Sequence, residues 1–260
     1  MAVPLDRLSP WLTHPRQAAV LTDFDGTLAP IVADPTKAVP LPGVPATLAS
    51  LAARYGRVAV ISGRPVAYLV DHLGGEAEFD GVTLVGLYGL ERVRSGRVEE
   101  VSAAARWRPV VDQVARAAAQ EAPAGVGVEH KGLAVTLHVR TAPEHQRWVE
   151  SWAAAEAAAT GLVAHPGRMS IELRPPLDTD KGTVVMELAD GLEAVCYLGD
   201  DRGDMPAFAA LARMSEAGRD VLAVAVRSDE SPSELLVAAD LVVEGPAGVL
   251  ELLEALAGGG

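Results

Sequence analysis

Short, uninterrupted apolar runs alternate with helix-period segments through the first and last thirds of the sequence, and nothing else in it restricts the fold as strongly. AAVLTDF (18–24), RVAVISG (57–63), TLVGLYG (83–89), AVCYLGDD (194–201), VLAVAV (221–226) and DLVVEGP (240–246) read as strands. GVPATLASLAARYG (43–56), KGTVVMELADG (181–191), DMPAFAALARM (204–214) and AGVLELLEALA near the end read as helices; Pro45 stands in the first turn of the first of them and Gly56 closes it. A strand covered on both faces is apolar throughout, so strands of this kind separated by helices predict a doubly wound parallel sheet.

The middle third follows a different period. SAAARWRPVVDQVARAAAQEA and PEHQRWVESWAAAEAAA are amphipathic helices. In LAVTLHVR (133–140), Leu133, Val135, Leu137 and Val139 share one face, while Thr136, His138 and Arg140 share the other. In RMSIELR (168–174), Met169, Ile171 and Leu173 oppose Arg168, Ser170, Glu172 and Arg174. Alternation with period two predicts a sheet with one face on a core and one face open. The expected organisation is an α/β core formed by residues 1–100 and 177–260, interrupted by an α+β unit over 101–176.

Composition narrows the partners. The 260 residues are 49% hydrophobic and carry a formal charge of −13. Such a surface repels nucleic acid, and an anionic small substrate requires cations gathered at its site. No apolar run approaches the ~20 residues of a membrane span. The start, MAVPLDRLSPWLTHPRQ, lacks a cationic segment followed by an apolar stretch, so no signal peptide is expected. The single cysteine, Cys196, sits in an apolar run and reads as a buried thiol. A cytoplasmic monomer is expected, with no nucleic-acid or membrane partner. Of 22 Lys and Arg residues only Lys37, Lys131 and Lys181 are lysines, so each lysine is a candidate for a place that needs a compact charge.

In a doubly wound sheet, ligands bind beyond the carboxyl ends of the strands. Four polar clusters fall there: Asp23 and Asp25; Ser62, Gly63 and Arg64; Lys181; and Asp200 and Asp201, with Asp204 close behind. Clustered carboxylates need a cation or a retained proton. Carboxylate oxygens suit a hard divalent ion such as Mg²⁺. A hydroxyl and an ammonium beside them suit phosphate oxygens. One carboxylate can act as a nucleophile, and a second, two residues on, can act as general acid and base. Gly26 lets the chain turn away, and Thr27 can orient a carboxylate. Taken singly, each cluster has an ordinary alternative: a turn at Asp23–Gly26, a cap at Ser62, a solvated Lys181, and Asp204 capping the following helix. Their joint placement at strand ends favours a site.

In this order DFDGTL, ISGR, the lysine of DKG, and GDD resemble the four motifs of the haloacid dehalogenase-like phosphatases. The resemblance implies a Rossmann-like core with an inserted cap of the C2 type. It implies Asp23 as nucleophile, Asp25 as general acid and base, Lys181 as a catalytic cation, and Ser62, Gly63, Arg64 and Lys181 as phosphate ligands. Mg²⁺ would be held by the Asp23 side chain, the Asp25 carbonyl and Asp200, supported by Asp201 and Asp204. GLYGLE, VEHKG, TLHVR and GRMSIELRP further resemble the trehalose-6-phosphate phosphatase family. That resemblance implies trehalose 6-phosphate as substrate, with Glu129, Lys131, Arg140, Arg168 and Glu172 on the sugar hydroxyls. The sequence departs from the family pattern in two places: Arg168 stands where a lysine is usual, and GDDRGDM lacks the customary Thr and Glu. The rival readings are a phosphatase for sucrose 6-phosphate or mannosyl-3-phosphoglycerate, a phosphomutase, and a catalytically silent sugar-phosphate sensor.

Overall fold

The structure is a computed structural model, and it describes residues 5–32, 37–74, 81–94, 97–167, 169–229 and 231–258. It comprises two units, one of residues 1–99 and 179–260, the other of residues 100–178.

The strands of the first unit are β1 (Ala18–Thr22), β2 (Arg57–Ile61), β3 (Val82–Gly86), β4 (Glu91–Arg94), β5 (Arg97–Glu100), β10 (Ala194–Gly199), β11 (Asp220–Arg227) and β12 (Leu241–Glu244). They form one sheet in the order β12-β11-β10-β1-β2-β3-β4-β5. The first six strands in that order pair in parallel and β4 runs antiparallel to β3. The expected parallel α/β sheet is therefore present. The helices are α1 (Ser9–Thr13), α2 (Val44–Arg54), α3 (Val66–Leu73), α7 (Lys181–Leu188), α8 (Met205–Glu216), α9 (Ser233–Ala238) and α10 (Gly245–Ala257).

Period two explains how the buried strands serve both layers. Ala18 and Val20 of β1 and Cys196 and Leu198 of β10 join one cluster with Leu48 and Leu51 of α2 and Leu252 and Leu256 of α10. Ala19, Leu21, Val195 and Tyr197 point into the opposite cluster, with Val184 and Val185 of α7, Leu211 of α8 and Leu235 of α9. With apolar side chains required on both faces, no polar residue fits until the strand ends, which is where Asp23 and Asp200 stand.

The second unit holds β6 (Gly127–His130), β7 (Val135–His138), β8 (Val163–Gly167) and β9 (Ser170–Arg174), with α4 (Ser102–Ala105), α5 (Arg108–Glu121) and α6 (Gln146–Thr160). Its sheet has the order β6-β7-β9-β8 and is antiparallel throughout. Val135, Leu137, Ile171 and Leu173 pack on Val111 and Val114 of α5 and Val149 and Ala153 of α6. The segment expected as one helix over 102–122 is two, separated at Arg106 and Trp107. Pro109 lies in the first turn of the second helix, where its missing N–H costs nothing. Among the described residues no helix is long and apolar enough to cross a membrane.

Leu48 is fully buried between α2 and the sheet, far along the chain from every polar cluster. Leu48→Ala is expected to lower unfolding free energy by about 3 kcal/mol with an unchanged urea m-value. A loss below about 1 kcal/mol would mean the layer is not close-packed there.

Candidate active site

The site is assembled where β10, β1 and β2 end side by side. Beyond β1 the backbone continues as a tight turn: Asp23 N–H donates to the Leu198 carbonyl at 2.9 Å, and Gly26 N–H to the Ala29 carbonyl at 2.7 Å. Gly26 has φ 76°, and a Cβ there would lie 2.1 Å from Asp200 Oδ2. The turn following the first carboxylate therefore makes room for the carboxylate ending the neighbouring strand. Only a residue without a side chain serves there.

Lys181, the first residue of α7, reaches into this corner. A capping box fixes where the helix starts: the Asp180 carboxylate accepts from Thr183 N–H at 2.8 Å, and Asp180 N–H donates to Thr183 Oγ1 at 3.0 Å. Lys181 Nζ lies 2.7 Å from Asp23 Oδ1 and 2.7 Å from Asp204 Oδ1, with all three side chains buried.

Asp204 does not cap α8 with its side chain. Its Oδ1 also accepts the Tyr197 hydroxyl, and its Oδ2 accepts Asp200 N–H at 2.9 Å and Asp201 N–H at 3.1 Å. Four donors saturate it, so it shapes the loop and holds Lys181. Asp201 turns outward and accepts Gly203 N–H at 2.7 Å. Asp200 differs from both, because its Oδ1 is buried and has no hydrogen-bond partner.

Oxygens of Asp23, Asp200 and Asp204 lie within 4.8 Å of one another. Burial, reinforced by Asp204 and Asp201 and only partly countered by Lys181, raises the Asp23 carboxyl well above its ordinary range. Burial, then Asp23, Asp204 and Asp201, pushes Asp200 up to about 10. Burial works against the charge on Lys181, but Asp204 and Asp23 outweigh it and hold the ammonium protonated. An orphaned carboxylate oxygen within a cluster of hard oxygen donors fits a divalent cation.

Just past β2, Ser62 is buried, and its Oγ accepts Arg64 N–H at 3.1 Å. Arg64 was expected beside the phosphate. Its guanidinium instead forks onto Asp25, with Nε and Nη2 each 2.8 Å from a carboxylate oxygen, and lies 4.5 Å over the Tyr68 ring. Thr27, expected to orient a carboxylate, is buried with no hydrogen bond to its hydroxyl.

In the second unit the open sheet face carries a cross-strand row. Glu129 lies opposite Thr136, Thr136 opposite Glu172, and Glu172 opposite His165. Lys131 Nζ is 3.0 Å from Glu172 Oε2 and 3.7 Å from Glu129 Oε2, and Thr136 donates to Glu172 at 3.0 Å. His138 Nε2 is 2.8 Å from Glu129 Oε2. Arg140 is exposed just past the end of β7, and Arg168 lies outside the described residues. Sequence reasoning left Tyr197 and Thr136 unassigned. Tyr197 is hidden in an apolar run, whereas Thr136 already stood on the polar side of the period-two pattern.

The profile described as Trehalose-phosphatase matches residues 21–240. The chain belongs to the trehalose-phosphatase family. It is 37% identical over 258 residues to the trehalose-phosphate phosphatase of Mycobacterium marinum, covering 95% of this chain and 63% of that protein. It thus spans less than two thirds of the curated relatives it matches. This trehalose-phosphatase family member also resembles the C-terminal domain of a C. albicans trehalose-6-phosphate phosphatase in structure, with TM-score 0.77 and 24% identity. That match covers 99% of this chain and 98% of the other. A haloacid dehalogenase-like hydrolase from Bacteroides thetaiotaomicron superposes with TM-score 0.59 at 17% identity, over 92% and 99% of the two chains. The fold is that of the haloacid dehalogenase-like hydrolases.

The raised Asp200 pKa dictates how the metal-free protein responds to pH. An unfolded aspartate releases its proton near pH 4, but folded Asp200 keeps it to about 10. Stability is fully present below pH 4 for this group and is lost as pH rises toward 10, by up to about 1.4 kcal/mol per pH unit. Urea unfolding in EDTA is expected to show stability falling from pH 5.5 to 8.5, with a shallower slope in Asp200→Asn. Equal slopes in the two proteins would place the retained proton elsewhere.

Proposed function

We propose that this chain is a Mg²⁺-dependent phosphatase that hydrolyses trehalose 6-phosphate, releasing trehalose and inorganic phosphate through an aspartyl-phosphate on Asp23. The observation carrying this reading is the buried Asp23–Lys181–Asp204 ion pair set against the unpartnered oxygen of Asp200, in a chain of the trehalose-phosphatase family.

Mg²⁺ would be held by the side chains of Asp23 and Asp200 and the backbone carbonyl of Asp25, where it would neutralise charge on the phosphoryl oxygens. Asp201 and Asp204 support that loop. Ser62 and the Gly63 backbone receive phosphoryl oxygens together with Lys181, whose charge also stabilises the transferring group. An oxygen of Asp23 bonds to phosphorus while the P–O6 bond breaks. Asp25 gives its proton to O6, and the free disaccharide departs. Asp25 then takes a proton from water, and the water oxygen attacks the same phosphorus, displacing Asp23 and releasing phosphate. The bidentate Arg64 contact fixes Asp25 for both transfers. We assign residues 1–100 and 177–260 to this chemistry. Residues 101–176 are assigned to sugar recognition, with Glu129, Lys131, Arg140, Arg168 and Glu172 on the hydroxyls.

Phosphate release in MgCl₂ over a panel of sugar phosphates tests the reading. Glucose 6-phosphate forgoes two or three hydrogen bonds to charged groups, so trehalose 6-phosphate is expected to exceed it by roughly 100-fold in kcat/KM. Equal turnover of the two would refute the sugar assignment, and faster turnover of sucrose 6-phosphate would replace it. Asp23→Asn is expected to lower kcat by about 10⁴ or more with an unchanged circular-dichroism spectrum. Substantial remaining turnover would move the nucleophile to another residue.

A further inference from the structure

The sequence GLYGLE (86–91) starts on the last residue of β3. Its backbone is unusual. Leu87 has φ 48°, Tyr88 has φ 57° and Gly89 has φ 107°, three left-handed residues in succession. Gly89 suits that region, but Leu and Tyr are disfavoured in it, and Asn is the side chain that tolerates it best.

The turn is stitched to the strand next door. Ser62 N–H donates to the Val85 carbonyl at 2.9 Å, continuing the β2–β3 ladder. The left-handed residues then redirect the chain so that Leu87 N–H meets the Arg64 carbonyl and Tyr88 N–H the Ser62 carbonyl, each at 3.0 Å. Thr179 Oγ1 closes the far side by donating to the Tyr88 carbonyl at 2.8 Å. The consequence lies at Gly63. A Cβ there would meet the Tyr88 hydroxyl oxygen at 2.6 Å, Cζ at 2.7 Å and Cε2 at 3.0 Å. The phenol ring thus occupies the space a side chain at position 63 would need. It rests on the one residue between Ser62 and Arg64. Those neighbours are tied to the site as well, because Arg64 N–H donates to Ser62 Oγ and the Arg64 guanidinium forks onto Asp25.

We propose that Tyr88 is a positioning residue: presented by the left-handed Leu87–Gly89 turn, its ring clamps Gly63 and sets the Ser62–Arg64 loop against the phosphoryl group. The inference rests on the phosphatase reading, because it is that chemistry which makes the loop's placement matter. It accounts for a tyrosine where the backbone alone favours asparagine or glycine, and for a glycine at 63, whose own φ is not left-handed. A ring that merely filled space would not need this turn, since Tyr88 is partly exposed and lies outside the buried clusters of the first unit.

Two substitutions separate clamp from filler. Tyr88→Asn removes the ring and suits the backbone, whereas Tyr88→Phe keeps the ring. The readouts are kcat, Tm, and calorimetric binding of inorganic phosphate in MgCl₂. Y88F is expected to stay within twofold of the unaltered protein in all measurements. Y88N is expected to lose about tenfold in both kcat and phosphate affinity, with Tm within a few degrees. Unaltered kcat and phosphate affinity in Y88N would overturn the proposal, as would a Y88F that fails as badly as Y88N. Should Y88N not fold, Gly63→Ala tests the same contact from the other side: its methyl drives the ring away and is expected to cause the same twin loss. A G63A protein with normal kcat and phosphate binding refutes the clamp. Failure of the unaltered protein to release phosphate from any sugar phosphate would count against the phosphatase reading alone, and phosphate binding would still report on Tyr88.

Discussion

The buried ammonium of Lys181 is the contact on which the rest of the first unit's site depends. Three side chains with almost no exposure meet there, and the pairs Lys181–Asp23 and Lys181–Asp204 are both 2.7 Å. Removing one partner of such a buried pair leaves a bare charge at a cost of about 3–5 kcal/mol, so the three positions are not independent. The backbone reflects this. The start of α7 is fixed by its capping box, and the loop after β10 is folded around Asp204 by two peptide N–H groups and the Tyr197 hydroxyl. Asp23 alone has room for new chemistry, because its partner is a lysine and not a saturating set of backbone donors.

What could be read from the sequence follows from which residues are forced. β1, β2, β10 and β11 must be apolar on both faces, so their positions, and the carboxylates that end them, stand out. β4 and β5 read ERVR and RVEE, three of four residues charged in each, because they lie at the antiparallel edge of the sheet, and nothing apolar announces them. TLVGLYG reads as one strand, yet the strand stops at Gly86, since only tertiary hydrogen bonds to Ser62 and Arg64 hold Leu87 and Tyr88 left-handed. In the second unit, alternation revealed the polar faces of β7 and β9. β6 and β8 were missed because GVEH is short and VAHPG contains proline.

At the site, residue types were legible and pairings were not. An aspartate in GDDRGD is an ordinary helix cap by sequence. Its true environment is set by β10 ending beneath α7, which no local pattern reveals. Arg64 shows the same limit. A cation next to a Ser-Gly turn suggests an anion, but the anion it meets is Asp25, 39 residues earlier, brought there by the pairing of β1 with β2. The pairing matters chemically, because a bidentate guanidinium fixes the orientation of the carboxylate it holds.

Charge counting then decides what the site still needs. Asp23, Asp25, Asp200, Asp201 and Asp204 offer five negative charges, and Lys181 and Arg64, both committed to carboxylates of that set, offer two positive ones. Burial acts against that excess: it raises the Asp23 carboxyl well above its ordinary range and pushes Asp200 up to about 10. A dianionic phosphate ester cannot enter a corner in that state without further positive charge, and the chain's overall charge of −13 supplies none from a distance. A divalent cation held by the unpartnered oxygen of Asp200 would supply that charge. Binding there would release the proton that Asp200 retains and set two positive charges against the surrounding carboxylates. The second unit has no comparable deficit. Its Glu129, Glu172 and Lys131 are paired with each other and with Thr136 and His138.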